Sequence, residues 1–437
     1  MKVGVLASRA VGSLFVAAVL AAATASASPD APVEVVQGKK FFGAVSPDAI
    51  LHRDGDVLVL RTAAATAEDF TDLYVVNMHL HFAPPADLES FGQVLDFVPA
   101  RLAVMRLTPA SAEELAGRLH GAGLACGVLL KLDGTPIARE VAPTPTAIIP
   151  TSARDVRVER LVAAVDSAEI AATLDFLTNI HTRYHTTATG GGVAQQLADR
   201  YEALAAGRSD ITISTFDHGN ATPQDSLVVR IAGTTRPSEV IVLGSHLDSV
   251  NWRDGTSSRA PGADDNASGT ATNLEIFRQL MAGGIRPERT VEIHAYAAEE
   301  IGLVGSQDMA TKYKNQGVNV VAMVQHDMTL WKAAGAPDKI WFVTSNTDDG
   351  FNTLLAQLVD GYVGLPWGKA ALSGGSSDHA SWRRAGFSTS FPFENPTNYN
   401  GHIHTAGDTV ANSGALTQAA GFAKLGLAYV LHFGGIN

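Results

Sequence analysis

From about residue 157 onward, short runs of apolar and β-branched residues alternate with stretches whose apolar side chains recur at helical spacing. The runs at 228–231, 240–244, 291–297, 318–325 and 340–343 have the length and composition of buried strands. Residues 169–181 place Ile170, Leu174, Leu177 and Ile180 on one helix face, and 195–206 repeats that pattern. Residues 267–281 and 416–431 also read as helices. Such alternation predicts an α/β fold, a three-layer αβα sandwich around a largely parallel, mixed central sheet. Side chains at the carboxyl ends of neighbouring strands in such a sheet converge in one crevice. His246, Glu299, Glu300 and Asp327 each fall just past one of these runs, so the fold itself would gather them.

The words around those residues are SHLDSV (245–250), PGADDNASG (261–269), AAEEIGL (297–303), HDM (326–328) and HIHT (402–405). In order they supply His, Asp, Glu, Asp and His, with a second Glu beside the first. Imidazole and carboxylate are the ligand chemistry of divalent ions, and one carboxylate has two oxygens with which to bridge a pair of them. Adjacent acids project in different directions, so one of Glu299 and Glu300 can bind metal while the other faces a water.

Each word alone also has a plainer reading. His246 with Asp248 suits a satisfied strand-end histidine, or a ligand oriented by a carboxylate behind it. Asp264 and Asp265 suit a helix cap and a solvated turn. The two glutamates suit a solvated helix start, and Asp327 a loop cap. The chain has 14 histidines, so most must do something else. His402 competes with His404, and His79 with His81 is expected to be structural or at the surface.

The formal charge of −12 argues against nucleic acid or an anionic membrane as the main partner. Lys2 and Arg9 precede a small, apolar stretch at 10–25, and Ala25-Ser26-Ala27 forms an A-x-A site. Residues 1–27 are therefore expected to be a secretory signal peptide, leaving no membrane segment after cleavage. Cys126 is the single cysteine, so no internal disulfide can form, and it is expected to be a small buried hydrophobe. Residues 28–133 read as a small α+β unit with strands at 57–60, 73–76 and 127–132 and a helix at 112–120. The Pro- and Thr-rich stretch at 134–156 reads as a linker or processing region, with the catalytic unit at 157–437.

Taken together, SHLDS, PGADDNASG, AYAAEEIGLVGSQD, QHDM, SSDHASW and NGHIHTAGDT resemble the M28 family of metallopeptidases, in particular the secreted bacterial leucyl aminopeptidases of the Aeromonas/Vibrio type. The resemblance runs from about Val165 to the C-terminus. It implies the zinc-peptidase fold and two Zn2+ per chain, with Asp265 bridging. His246 and Asp327 would complete one site, and Glu300 and His404 the other. It makes Glu299 the general base, Asp248 the partner of His246, and the peptide after Asp265 cis. Met328, Val343, Phe393, Tyr399 and Ile403 match the family's apolar substrate pocket. Residues 28–133 would be a propeptide, the substrates peptides with a free N-terminus, and the enzyme a monomer.

The chain departs from the closest pattern beside that pocket. Leu372 and Ser376 stand where the relatives carry a disulfide, and Gly374 where they place an aromatic; a second pocket aromatic is replaced near Thr397. The leading expectation is a secreted di-zinc aminopeptidase removing leucine or other apolar N-terminal residues. A glutaminyl cyclase of the same fold would use one zinc, whereas the intact GADDNASG and AAEE favour two. A carboxypeptidase would need a clamp for the substrate carboxylate, for which Arg253 is the nearby candidate. A non-catalytic binding module would have lost a ligand or Glu299, and none is lost.

Overall fold

The computed structural model describes residues 31–38, 45–54, 57–66, 68–77, 87–99, 101–120, 129–132, 134, 136–137, 154–372 and 376–436. The expectations for the signal peptide, Cys126, His79, His81, Gly374 and most of 134–156 lie outside these residues. The chain divides into two compact units, 1–112 with 129–139, and 113–128 with 140–437.

The first unit holds two antiparallel sheets. One comprises β1 (Val33–Gln37), β2 (Ile50–Asp54) and β3 (Val57–Arg61) in the order β1-β3-β2. The other comprises β4 (Leu73–Asn77), β5 (Gln93–Val98), β6 (Leu102–Arg106) and β7 (Leu129–Leu132) in the order β5-β6-β4-β7. The helix expected from residue 112 begins earlier and spans Pro109–His120. Thr108 accepts from Ser111 N at 3.1 Å, and Pro109 at the first helical position lacks only an N–H that would be unused there.

The second unit is built on a six-stranded sheet. Its strands are β8 (Ile211–Phe216), β9 (Ser226–Ile231), β10 (Arg236–His246), β11 (Arg289–Tyr296), β12 (Asn319–Gln325) and the short β15 (Thr389–Ser390), in the order β15-β12-β10-β11-β9-β8. β15, β12, β10 and β11 run parallel, while β9 and β8 form an antiparallel edge. The sheet is therefore mixed and largely parallel, as the sequence predicts. The run at 340–343 does not join it. It forms β13 (Ile340–Val343), flanked by β14 (Trp367–Ala370) and β16 (Pro392–Phe393) in a separate three-stranded sheet.

Residues alternate between two cores along the central strands, which defines the layers. Ile241, Leu243, Val291, Ile293 and Val324 face one side, packed with Leu177, Leu197, Phe277 and Phe422. These come from helices Ser167–Asn179, Val193–Ala205, Gly269–Ala282 and Leu416–Phe433. Val240, Val242, Tyr296 and Met323 face the other side, against Met309, Ala310 and Trp382 of helices Val304–Asn315 and His379–Ala385. Among the described residues no helix is long and apolar enough to cross a membrane.

Arg183, 1% exposed, ties together loops at the carboxyl end of the sheet. Its guanidinium donates to Leu247 O (2.9 Å), Pro261 O (2.6 Å), Gly262 O (3.0 Å) and Leu177 O (3.2 Å). Burial pulls its pKa down to about 10, offset by Asp408, Asp248, Asp265 and Glu300, so it stays charged at neutral pH. Replacing Arg183 with Met leaves buried carbonyls without their donor. We expect a loss of about 3 kcal/mol or more, seen as a lower urea midpoint. An unchanged midpoint would mean that water takes over these bonds.

Candidate metal centre

Three parallel strands deliver the site. His246 is the last residue of β10 rather than the first beyond it, Glu299 and Glu300 follow β11, and Asp327 follows β12. Asp265 comes from the turn Ala263–Ser268 and His404 from the loop before Val410–Ser413. The Asp265–Asn266 peptide is cis, as the resemblance implies. Asn266 anchors the turn by donating to His326 O at 3.0 Å and accepting from Gly269 N at 2.8 Å. A side chain at Gly269 would place its Cβ 2.0 Å from His326 O, so this close approach requires glycine.

These elements bring the predicted ligands into two groups that share Asp265. His246, Asp265 and Asp327 form one, and Asp265, Glu300 and His404 the other, with the ligand atoms of each group within 4.8 Å of one another. Asp265 Oδ1 lies 3.0 Å from His246 Nε2, and its Oδ2 lies 2.9 Å from His404 Nε2. Asp327 Oδ1 is 3.5 Å from His246 Nε2, and Glu300 Oε2 is 3.0 Å from His404 Nε2. His402 is exposed and belongs to neither group, which resolves its competition with His404.

The donor set fits cations. Asp327 Oδ1 and Glu300 Oε1 are buried without any hydrogen-bond donor, an unfavourable state for a carboxylate oxygen unless a positive charge faces it. Burial pushes Glu300 up to about 7, with Asp265 pushing further and His404 pulling back. Burial also pushes Glu299 well above its usual range. Asp265 goes the other way: burial would raise it, but His246 and His404 hold it well below the carboxylate range. Burial disfavours a charged His246, yet Asp327, Glu299, Asp248 and Asp265 raise it well above 6.5. Carboxylates and imidazoles gathered in a low-dielectric crevice could hold divalent cations through mixed N and O ligands.

Asp248 lies 3.4 Å from His246 Nδ1, and its two oxygens accept from Glu299 N (3.0 Å) and Glu300 N (3.1 Å). It thus orients the turn carrying both glutamates as well as standing behind the histidine. Glu299 is partly buried and is a member of neither ligand group.

Sequence reasoning missed two supports. Asp408, within the HTAGDT word, accepts from the backbone N–H of Asp264 (3.1 Å) and Asp265 (3.0 Å). Ser377 donates to Asp327 Oδ2 at 2.7 Å and accepts from Gln325 Nε2 at 3.1 Å. Asp264 points away from both groups, accepting from Leu330 N and Asn400 Nδ2. Only tertiary contact reveals these roles, because an acid or serine in a polar loop has no periodic signal.

Met328, Val343 and Phe393 form one buried apolar cluster with Leu372 and Phe391, and Tyr399 and Ile403 pack against it. All five predicted pocket residues are therefore together. Leu372, at a half-cystine position of the resemblance, contributes apolar surface instead. Phe391 was missed, although its alternation with Phe393 is a strand signal. Thr397 is exposed and bonded to Asn395, and Arg253 is exposed.

The model of peptidase family M28 matches residues 226–428, a span that includes every member of both ligand groups. A probable aminopeptidase of Saccharomyces cerevisiae is 34% identical over 284 residues, covering 63% of this chain and 75% of the relative. Leucine aminopeptidase 1 of Trichoderma harzianum is 34% identical over 249 residues, covering 54% of this chain and 62% of the relative. The crystal structure of LapB from Legionella pneumophila superimposes with a TM-score of 0.69 at 26% identity, over 83% of this chain and 99% of that one. With a 34% identical relative matched over three quarters of its length and the family's span lying across the strand ends that carry the ligand groups, the chain belongs to peptidase family M28 and is a hydrolase of peptide bonds.

Proposed function

We propose that this protein is a secreted, co-catalytic di-zinc aminopeptidase that removes leucine and other apolar residues from the N-terminus of peptides, acting as a monomer. The observation that carries the reading is Asp265, whose two oxygens each face a different imidazole. His246, Asp265 and Asp327 would hold one ion, and Asp265, Glu300 and His404 the other. Zinc held there would supply Lewis acidity toward a water and the peptide carbonyl.

The chain's own residues do the rest. Glu299 accepts the proton of the attacking water and delivers it to the leaving amine, because it lies beside His246 and Asp327 without being a ligand. Burial, which raises its proton affinity, suits a group that must both take and give a proton near neutral pH. Asp248 fixes the backbone on which Glu299 sits. The cluster of Met328, Val343, Leu372, Phe391 and Phe393 offers an apolar surface for the first side chain of the substrate. Such a pocket separates neighbours by about 1–3 kcal/mol per methylene, so the preference is graded.

Kinetics with aminoacyl-p-nitroanilides tests this. Leucyl should exceed alanyl substrate about tenfold or more in kcat/KM. Glu299→Ala should lower kcat about 10²–10⁴-fold with bound metal unchanged. Full activity in that variant, or a preference for charged residues, would overturn the assignment.

Metal stoichiometry tests the shared ligand separately. By native mass spectrometry the wild type should carry two zinc ions, His404→Ala one, and Asp265→Ala fewer than one. One ion in the wild type would remove the co-catalytic reading.

We further propose that residues 1–27 direct export and that residues 28–133 are removed within 134–156. The intact mass of protein recovered from the medium should then correspond to a chain beginning in that stretch. A mass that retains residues 28–133 would make them a permanent accessory unit.

A further inference from the structure

At the turn that carries Glu299 and Glu300, four consecutive backbone N–H groups are each held by a side chain. Glu299 and Glu300 donate to Asp248, as described above. The two preceding groups are held from a different segment: Ala297 N donates to Ser226 Oγ at 2.9 Å and Ala298 N to Gln224 Oε1 at 3.1 Å. Gln224 and Ser226 are both fully buried, and nothing in the catalytic reading uses them.

Each acceptor is itself locked in one orientation. Gln224 Nε2 donates to Arg183 O (3.1 Å) and Gly190 O (2.9 Å), carbonyls that can only accept, so Oε1 must face Ala298. Ser226 Oγ lies 2.7 Å from His218 Nε2, and His218 Nδ1 lies 2.8 Å from Asp308 Oδ2. A carboxylate accepts, so Nδ1 carries a proton, and in that tautomer Nε2 accepts the hydrogen bond of the Ser226 hydroxyl. The lone pairs of Ser226 are thereby left for Ala297 N–H. The order Asp308–His218–Ser226 looks like that of a nucleophilic triad, but Ser226 has no exposed surface and its oxygen is already engaged by the amide. Its use is mechanical.

The turn needs such holding. Ala298 has φ of 51°, in the left-handed region that a non-glycine residue adopts only when its surroundings impose it. Glu299 is the next residue, so rotation there would swing its carboxylate. A displacement of about 1 Å at a reacting group can lower rate about 10²-fold.

We propose that Ser226, its hydroxyl directed by His218 and Asp308, and Gln224 are positioning residues for Glu299. They pin the joint between β11 and the turn from which the base projects. The proposal rests on the reading of Glu299 as general base.

The test pairs hydrogen exchange with kinetics in the full-length, zinc-loaded protein. His218→Phe keeps a ring but loses both nitrogens, Gln224→Met keeps the length but loses the amide, and His218→Gln retains an acceptor for the Ser226 hydroxyl. In the first two variants, exchange of the Ala297 and Ala298 amides should accelerate about tenfold or more, while peptides from the distant helix Leu416–Phe433 exchange as in the wild type. Their kcat should fall about tenfold with KM within about twofold, and His218→Gln should recover most of both. Asp308→Ala, at a residue whose side chain is 43% exposed, should give a smaller change in the same direction and covers the case in which His218→Phe does not fold. Wild-type exchange in the first two variants would overturn the proposal, as would equal losses in His218→Phe and His218→Gln. Faster exchange with unchanged kcat would overturn the link to Glu299. Because exchange is read without substrate, failure of the base assignment itself would show independently, as activity surviving in Glu299→Ala.

Discussion

Negative charge held out of water at the ends of parallel strands is the constraint around which the second unit is organised. Asp248, Asp265, Glu300 and Asp327 are all buried in one crevice. A carboxylate in such a setting is stable only if something positive or proton-donating replaces its water. Three kinds of compensation are present. Imidazoles face Asp265 and Glu300; backbone N–H groups face Asp248 and Asp408; the Arg183 guanidinium lies behind them. The oxygens left over, on Asp327 and Glu300, are those that a cation would neutralise.

The same contacts that stabilise the charges also fix the loops. A carboxylate accepting two backbone N–H groups defines the local path of the chain more tightly than apolar packing can, because each bond has a direction. Asp248 does this for the turn after β11, and Asp408 for the turn that carries Asp265. Arg183 works from the other side by binding carbonyls of the loops that follow β10. Precision at the site therefore comes from buried polar networks laid over a sheet whose own job is to bring the strand ends together.

How much of this the sequence shows depends on whether a residue's role follows from its place along a strand. His246, Glu299, Glu300 and Asp327 were legible because each closes a recognisable apolar run and the parallel topology then does the gathering. The central layers were legible for the same reason. The run at 340–343 was identified as a strand but not as part of a second sheet, since periodicity reports that a segment is extended without reporting its neighbours. Asp408, Ser377 and Gln224 were not legible as supports. The groups they hold lie between 50 and 144 residues away, and nothing local distinguishes them from ordinary loop residues. Leu372 was noticed only as a missing cysteine, whereas the fold uses it as part of the apolar cluster.

Asp264 and Asp265 show why residue type alone could not have divided these roles. They are adjacent, identical and both buried, yet their environments push them in opposite directions. Asp265 meets two imidazoles, which hold it ionised against the effect of burial. Burial raises Asp264, and Asp408 raises it further, with Glu394 and Asn400 at hydrogen-bonding distance; Glu394 is likewise pushed up by burial and by Asp264. Two acids so placed favour sharing a proton over carrying two charges. Of the two, only Asp265 is shared by both ligand groups. Its neighbour serves as a strut, accepting from Leu330 N and Asn400 Nδ2. Pairs of like groups driven apart in proton affinity mark where a fold has separated chemistry from support, and here the division falls between consecutive residues.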